Sequence, residues 1–206
     1  MSDELPLYSD SIFKSANPFP ALQNIREGDV RRCLERFDQL LDHGEASGSV
    51  AEALTRIEGM RKSDILSLHL KLFDGHPGAG ELRTSKIAAQ FRGQDCPEPE
   101  FLGQSLDNFE KWLSVEALGE LHPIQQAALA LTRLVDIWPF EFGNRTTAIV
   151  FANSFLLRAG YPPFFVLQTQ LAEFEEVMSH AILMQTESLV LAIYKCMERE
   201  LEFARG

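Results

Sequence analysis

Ile137-Trp138-Pro139-Phe140-Glu141-Phe142-Gly143-Asn144-Arg145-Thr146-Thr147 separates two segments of strong helical periodicity. Before it, Ala127/Ala128, Leu131, Leu134/Val135 and Trp138 fall on one face of a helix predicted over 123–138. After it, Asn144–Arg158 reads as a second apolar helix, ended by Gly160 and Pro162-Pro163. Gly143 permits a tight turn and Asn144 is a good helix cap, so one reading of the join is purely structural. The other is a residual anion site, because a helix start presents unpaired N–H groups and Arg145 stands beside them.

Working outward, the chain stays helical. Residues 1–28 carry Pro and Ser, including Asn17-Pro18-Phe19-Pro20, and are expected as an extended arm pinned by Phe13, Phe19 and Leu22. Val30, Cys33/Leu34, Phe37 and Leu40/Leu41 then recur at helical spacing up to His43-Gly44, and a short helix is expected over about 50–59. Ser63-Asp64 is the expected cap of a third helix, and Ser105 that of a fourth. Between these two, Leu82–Phe101, with its Gly93-Gln94-Asp95 turn and Pro97/Pro99, reads as a small β-hairpin. Leu171–Met184 and Glu187–Glu202 make a final helical pair. The predicted fold is an all-α bundle with one β-hairpin flap, residues 29–206 forming a single domain behind the arm.

The loop resembles the signature of the Fic (Fido) family of nucleotidyl transferases, His-Pro-Phe-x-Asp-Gly-Asn-Gly-Arg followed by a second Arg three residues on. Ala127-Ala128-Leu129-Ala130 before it, and Asn153 and Arg158-Ala159-Gly160-Tyr161-Pro162-Pro163 after it, are similar to the family at the family's spacing. Gly80, Leu82, Arg83 and Thr84 resemble the start of the family's target-docking flap, and Glu58-Gly59 the core of its inhibitory motif, Ser/Thr-x-x-x-Glu-Gly/Asn. The resemblance covers roughly residues 50–165. It implies a Fic-like helical bundle, ATP or another nucleotide as ligand, and AMP transfer to a protein hydroxyl as the ancestral chemistry.

The residues that carry that chemistry are replaced. Trp138 to Arg158 spans 20 positions, the family's own separation, so the register needs no gap. In it Trp138 stands for the basic His, Phe142 for the Mg²⁺ carboxylate, Arg145 for the second Gly, Thr146 for the first Arg and Ile149 for the second Arg. A one-residue gap would match Arg145-Thr146 to the family's Arg-Thr, but the compensating insertion would turn the following helix by about 100° and disturb its buried face. An indole accepts no proton near neutral pH, so Trp138 reads as a core aromatic, or else as a platform for a bound base. Phe142 reads as a plug in the vacated metal position, which argues against Mg²⁺ dependence. Gly143, Asn144, Arg145 and Thr146 remain as the candidate nucleotide or anion site, and Arg145 could fill that site itself by pairing with Glu58 or Glu141. Glu58 has lost its purpose, since its expected partner is Ile149.

Composition narrows the function classes. A net charge of −11 without any Lys/Arg run argues against nucleic acid and anionic membrane surfaces. Three scattered cysteines, Cys33, Cys96 and Cys196, read as reduced thiols. No apolar run approaches a membrane span and none follows the acidic Met1-Ser2-Asp3-Glu4, so a cytoplasmic location is expected. The leading expectation is an inactive Fic-type pseudoenzyme that binds a nucleotide or a protein, the latter through an extended segment laid on the flap edge; a second copy of the chain is also admissible. The alternative is an atypical nucleotidyl or phosphoryl transferase in which Glu141, Asp136 or another carboxylate replaces the His base.

Overall fold

The helices that flank the signature loop lie at the centre of the bundle because both are apolar over most of their circumference. The computed structural model describes residues 19–41, 49–55, 57 and 60–206. Among the described residues nine α-helices follow in order: α1 Glu27–Leu41, α2 Val50–Thr55, α3 Lys62–Leu72, α4 Leu102–Leu113, α5 Glu116–Gly119, α6 Pro123–Ile137, α7 Asn144–Arg158, α8 Leu171–Ile182 and α9 Glu187–Arg205. Helix α6 buries Ile124, Ala127, Ala128, Leu131, Leu134 and Val135, while α7 buries Ala148, Val150, Phe151, Ala152, Phe155 and Leu156. The small residues on both helices let their backbones approach closely, α2, α3, α4, α8 and α9 pack around this pair, and α1 lies against α2 and α9. Among the described residues no helix is long and apolar enough to cross a membrane.

Local chemistry sets the helix ends. His122 caps α6: its Nδ1 accepts the Ile124 N–H at 3.3 Å, and Gln125 Oε1 accepts the His122 N–H at 3.0 Å. Pro123 occupies the first turn, where its missing N–H costs nothing. Helix α3 starts one residue before the expected Ser63-Asp64 cap, because Asp64 reaches back to the Arg61 N–H at 2.8 Å. Helix α4 starts at Leu102, so Ser105 lies inside it.

The expected arm is docked where it is described. Phe19 is 3% exposed and lies between His122 and Tyr194, with ring centroids 4.8 and 5.0 Å away, and the Ala21 N–H donates to the Tyr194 hydroxyl at 3.2 Å. Helix α1 begins at Glu27, two residues before the domain boundary expected from the sequence. Phe13 lies outside the described residues. Helices α1 and α9 are tied by two fully buried carboxylates ringed with arginines, Asp29 by Arg26, Arg32 and Arg205, and Glu200 by Arg36 and Arg199.

The β-hairpin expected over Leu82–Phe101 is a correction: the segment contains no strand, and its backbone is held by side chains instead of a cross-strand ladder. Gln94 Oε1 accepts the N–H groups of Gln90 and Phe91 while its Nε2 donates to Val135 O. Arg83 joins the two arms of the segment by donating to Ser85 O and Pro97 O, and Lys86 pairs with Glu98. Pro97 and Pro99 supply no N–H for a ladder.

Asn153, fully buried on α7, donates through Nδ2 to Phe164 O and accepts the Phe164 N–H through Oδ1, both at 2.8 Å. This stitches the chain after Gly160 back onto the helix. Asn153→Leu strands two buried backbone groups and is expected to cost about 2–4 kcal/mol in urea unfolding with an unchanged m-value, whereas exposed Lys195→Ala stays within about 0.5 kcal/mol.

Candidate functional site

The loop between α6 and α7 is held by its own helix start. Asn144, 4% exposed, grips Phe140 twice: its Oδ1 accepts the Phe140 N–H at 2.8 Å and its Nδ2 donates to Phe140 O at 2.7 Å. Gly143 turns with φ 66°, and a Cβ there would come within 2.3 Å of the Phe73 ring, so no other residue fits without moving that ring. Thr147 closes the first turn by donating both its N–H and its hydroxyl to Gly143 O, each at 2.9 Å. Trp138 ends α6 in the left-handed region, φ 48°, an uncommon conformation for a bulky residue.

Three polar ties stabilise the loop against its neighbours. Arg83, 2% exposed, donates from Nε to Trp138 O at 2.8 Å, and its own N–H reaches Pro139 O at 2.9 Å. Glu141 accepts the N–H groups of Thr84 and Ser85 at 2.9 and 3.0 Å and the Ser85 hydroxyl at 2.6 Å. The Ser85 hydroxyl and then these N–H groups hold the Glu141 carboxyl below the usual carboxylate range. His69 is fully buried on α3. Its Nδ1 accepts the Gly80 N–H at 2.8 Å, so the ring proton lies on Nε2 and is donated to Phe142 O at 3.1 Å. The imidazole stacks on Phe140 at 3.7 Å, and burial pushes its pKa down to about 4.

These ties shape an open cavity of about 630 Å³ lined by His76, Ile87, Gln90, Trp138, Glu141, Phe142, Gly143, Asn144 and Arg145. Of the four expected anion-binding residues, Gly143, Asn144 and Arg145 border it, and Thr146 does not. The Asn144 amide is consumed by Phe140, which leaves Arg145 as the cationic residue on the cavity wall among the described residues. The expected pairing of Arg145 with Glu58 falls outside the described residues, as does Gly59, and Glu141, the other expected partner, holds the flap. Arg145 Nη2 meets Glu175 Oε1 of α8 at 2.6 Å. Ile149 packs with Phe91, Leu131 and Phe174 in an apolar crevice.

Phe142 packs edge-on against Phe73 at 5.2 Å and against His76 at 4.0 Å. It offers a divalent cation no oxygen, and the adjacent carboxylate, Glu141, is filled by three donors, so these residues do not fit a Mg²⁺ ion. The flap residues have structural duties: Arg83 is spent on three carbonyls, Thr84 hands its N–H to Glu141, and Gly80, φ 77°, passes Leu70 so closely that a Cβ would lie 2.9 Å from the Leu70 Cβ. Two contributors were missed in the sequence. His69 shares an apolar face with Ile65, Leu68 and Leu72, a pattern that signals burial. His76 is exposed yet borders the cavity, and no local pattern announces that.

The Fic/DOC family model matches residues 59–156. The protein adenylyltransferase Fic of Drosophila erecta is 34% identical over 174 residues, covering 83% of this chain and 34% of that protein. The chain thus spans about a third of the length of the curated relatives it matches. Among solved structures, Fic-1 from C. elegans is 25% identical with a TM-score of 0.59, over 86% of this chain and 50% of that one. A Fic-domain signaling protein from Bacteroides thetaiotaomicron shares the fold with a TM-score of 0.66 at 21% identity, over 90% of this chain and 93% of its own.

The depressed pKa of His69 sets a pH dependence. Between about 4 and 6.5 the unfolded chain binds a proton that the folded chain refuses, so the contribution of His69 is complete above 6.5 and is lost as pH falls toward 4. His69→Asn is expected to lower the melting temperature at pH 7.5 and to flatten its decline between pH 6.5 and 4.5. His122, also pushed down by burial, contributes equally to both proteins in that comparison of thermal melts.

Proposed function

This chain belongs to the Fic/DOC family, and we propose that within it the protein has given up transfer chemistry and acts by binding, with its loop cavity as the ligand site. The observation that carries this reading is that Trp138 stands in the register position of the family's base while Glu141, Asp136 and the buried His69 imidazole are engaged or misplaced. The Trp138 side chain accepts no proton. Glu141 has three donors on its carboxylate and a lowered pKa, both of which weaken it as a base. Asp136, whose pKa is raised by burial, is not among the residues that line the cavity. His69 has both ring nitrogens committed. Losing a general base typically costs about 10²–10⁴ in rate, and losing a stabiliser of the transferring group about 10²–10³ more.

What remains suits recognition. The start of α7 and Arg145 give an oxyanion N–H groups and a guanidinium, the basis of nucleotide or phosphate binding without a metal. Beside them, Lys86 to Ala89 run largely exposed and outside any strand, between the backbone groups that Glu141 and Gln94 hold, and could pair through their main chain with an extended segment of a protein partner. A reducing, cytoplasmic setting suits the three free thiols, Cys33 and Cys196 among them being buried.

One specific observation favours the alternative, an atypical transferase. His76 is an exposed imidazole on the cavity wall, its Nδ1 placed 2.9 Å from Pro77 O, which leaves Nε2 as the acceptor when that contact is an N–H donation. The test is transfer of label from ATP labelled at the α-phosphate, with Mg²⁺ or Mn²⁺, to the chain itself and to lysate proteins. The expected result is no transfer above background, and none from Trp138→His either, because Phe142 still offers no carboxylate. Transfer by the native chain that disappears in His76→Gln or Glu141→Gln would overturn the proposal.

A further inference from the structure

Arg145 faces the loop cavity without standing free in it. Its Nη2 meets Glu175 Oε1 at 2.6 Å, the guanidinium carbon lies 5.4 Å from the centre of the Phe91 ring, and Nε is buried without a hydrogen-bond partner. The guanidinium therefore has one edge packed toward the apolar crevice of Phe91, Val135 and Phe174 and another held by a carboxylate from α8. The Arg145 and Glu175 side chains are 39% and 40% exposed, so the pair meets solvent and can open without unpacking the core. Of the two charged side chains that line the cavity among the described residues, Glu141 already accepts three hydrogen bonds from the flap, and Arg145 is the cation that an incoming anion would meet. That anion must compete with Glu175 for the same guanidinium.

We infer that Glu175 is a built-in competitor at this site: its carboxylate occupies Arg145 in the unliganded chain, and a phosphate-bearing ligand binds by taking over the guanidinium and releasing Glu175. The inference rests on the proposed reading of the cavity as an anion site and adds the device that regulates it. A half-exposed ion pair is weak, typically at most about 1 kcal/mol, and the departing carboxylate would also repel the incoming phosphate. Removing it should therefore strengthen anion binding about five- to tenfold.

The test is calorimetric titration of the full chain with inorganic pyrophosphate. Glu175→Gln, which keeps the size and removes the charge, is expected to bind about five- to tenfold tighter than the native chain. Glu176→Gln makes the same change in net charge at the exposed neighbouring position and is expected to stay within about twofold of native. Arg145→Ala combined with Glu175→Gln is expected to abolish the gain. Equal affinity in the native chain and Glu175→Gln would overturn the role of Glu175 while leaving the anion site standing. An equal gain from Glu176→Gln would reduce the effect to overall charge and overturn it as well. Absence of binding in every variant would overturn both the competitor and the anion site.

Discussion

The double hydrogen bond between the Asn144 side chain and the backbone of Phe140 is the constraint on which the loop depends. It closes a turn four residues across, immediately before a helix whose first N–H groups lack intrahelical partners, and it does so inside the protein. Both Phe140 groups are buried, so an unpaired alternative would carry a desolvation penalty of about 1–3 kcal/mol for each. Gly143 makes the turn possible, and the Phe73 ring leaves room for nothing larger. With this turn closed, Phe142 O points to His69, Trp138 O to Arg83, and Glu141 to the N–H groups of Thr84 and Ser85. Loop conformation is thus over-determined by hydrogen bonds from Asn144, His69, Arg83 and Glu141.

On the proposed reading, that separation lets the loop do without transfer chemistry and keep its shape. The substitutions at Trp138, Phe142 and Ile149 all move toward aromatic or aliphatic character, and each finds apolar company: Phe91 for Trp138, Phe73 and His76 for Phe142, Phe174 and Leu131 for Ile149. Burying apolar surface contributes about 25 cal/mol per Å², so such replacements stabilise the frame while removing a proton acceptor and an oxygen ligand. The cavity stays open because the flap is propped by Arg83 and Glu141, which the loop itself engages. The result is a preorganised concave site with one cation at its wall and a carboxylate already on that cation.

Much of the fold was legible because helical periodicity and caps are local. Ala127, Leu131, Leu134 and Val135 announce α6, and the Gly143-Asn144 pair marks the start of α7 to the residue. The flap was misread for a physical reason: Gln94, Arg83 and Glu141 satisfy its backbone with side chains, and nothing in a short alternating stretch reveals which partner an N–H will choose. The proposed loss of transfer chemistry rests on residue types, since an indole and a phenyl ring cannot do the work of an imidazole and a carboxylate. The partner of Arg145 could not be read from the sequence, because Glu175 lies 30 positions further on, in another helix, among several glutamates that look alike. His69 falls between these cases, marked as buried by its apolar face but silent about its two backbone partners.

The central claim is that the frame of this loop has outlived its metal-dependent chemistry, and the most direct test is a single pair of calorimetric titrations with ATP, one in Mg²⁺ and one in EDTA. The account predicts the same weak affinity in both, because the Phe142 side chain brings no oxygen and Glu141 is held by three donors from the flap. An affinity that rises tenfold or more with Mg²⁺ would contradict it, showing that the cavity still assembles a nucleotide–metal site.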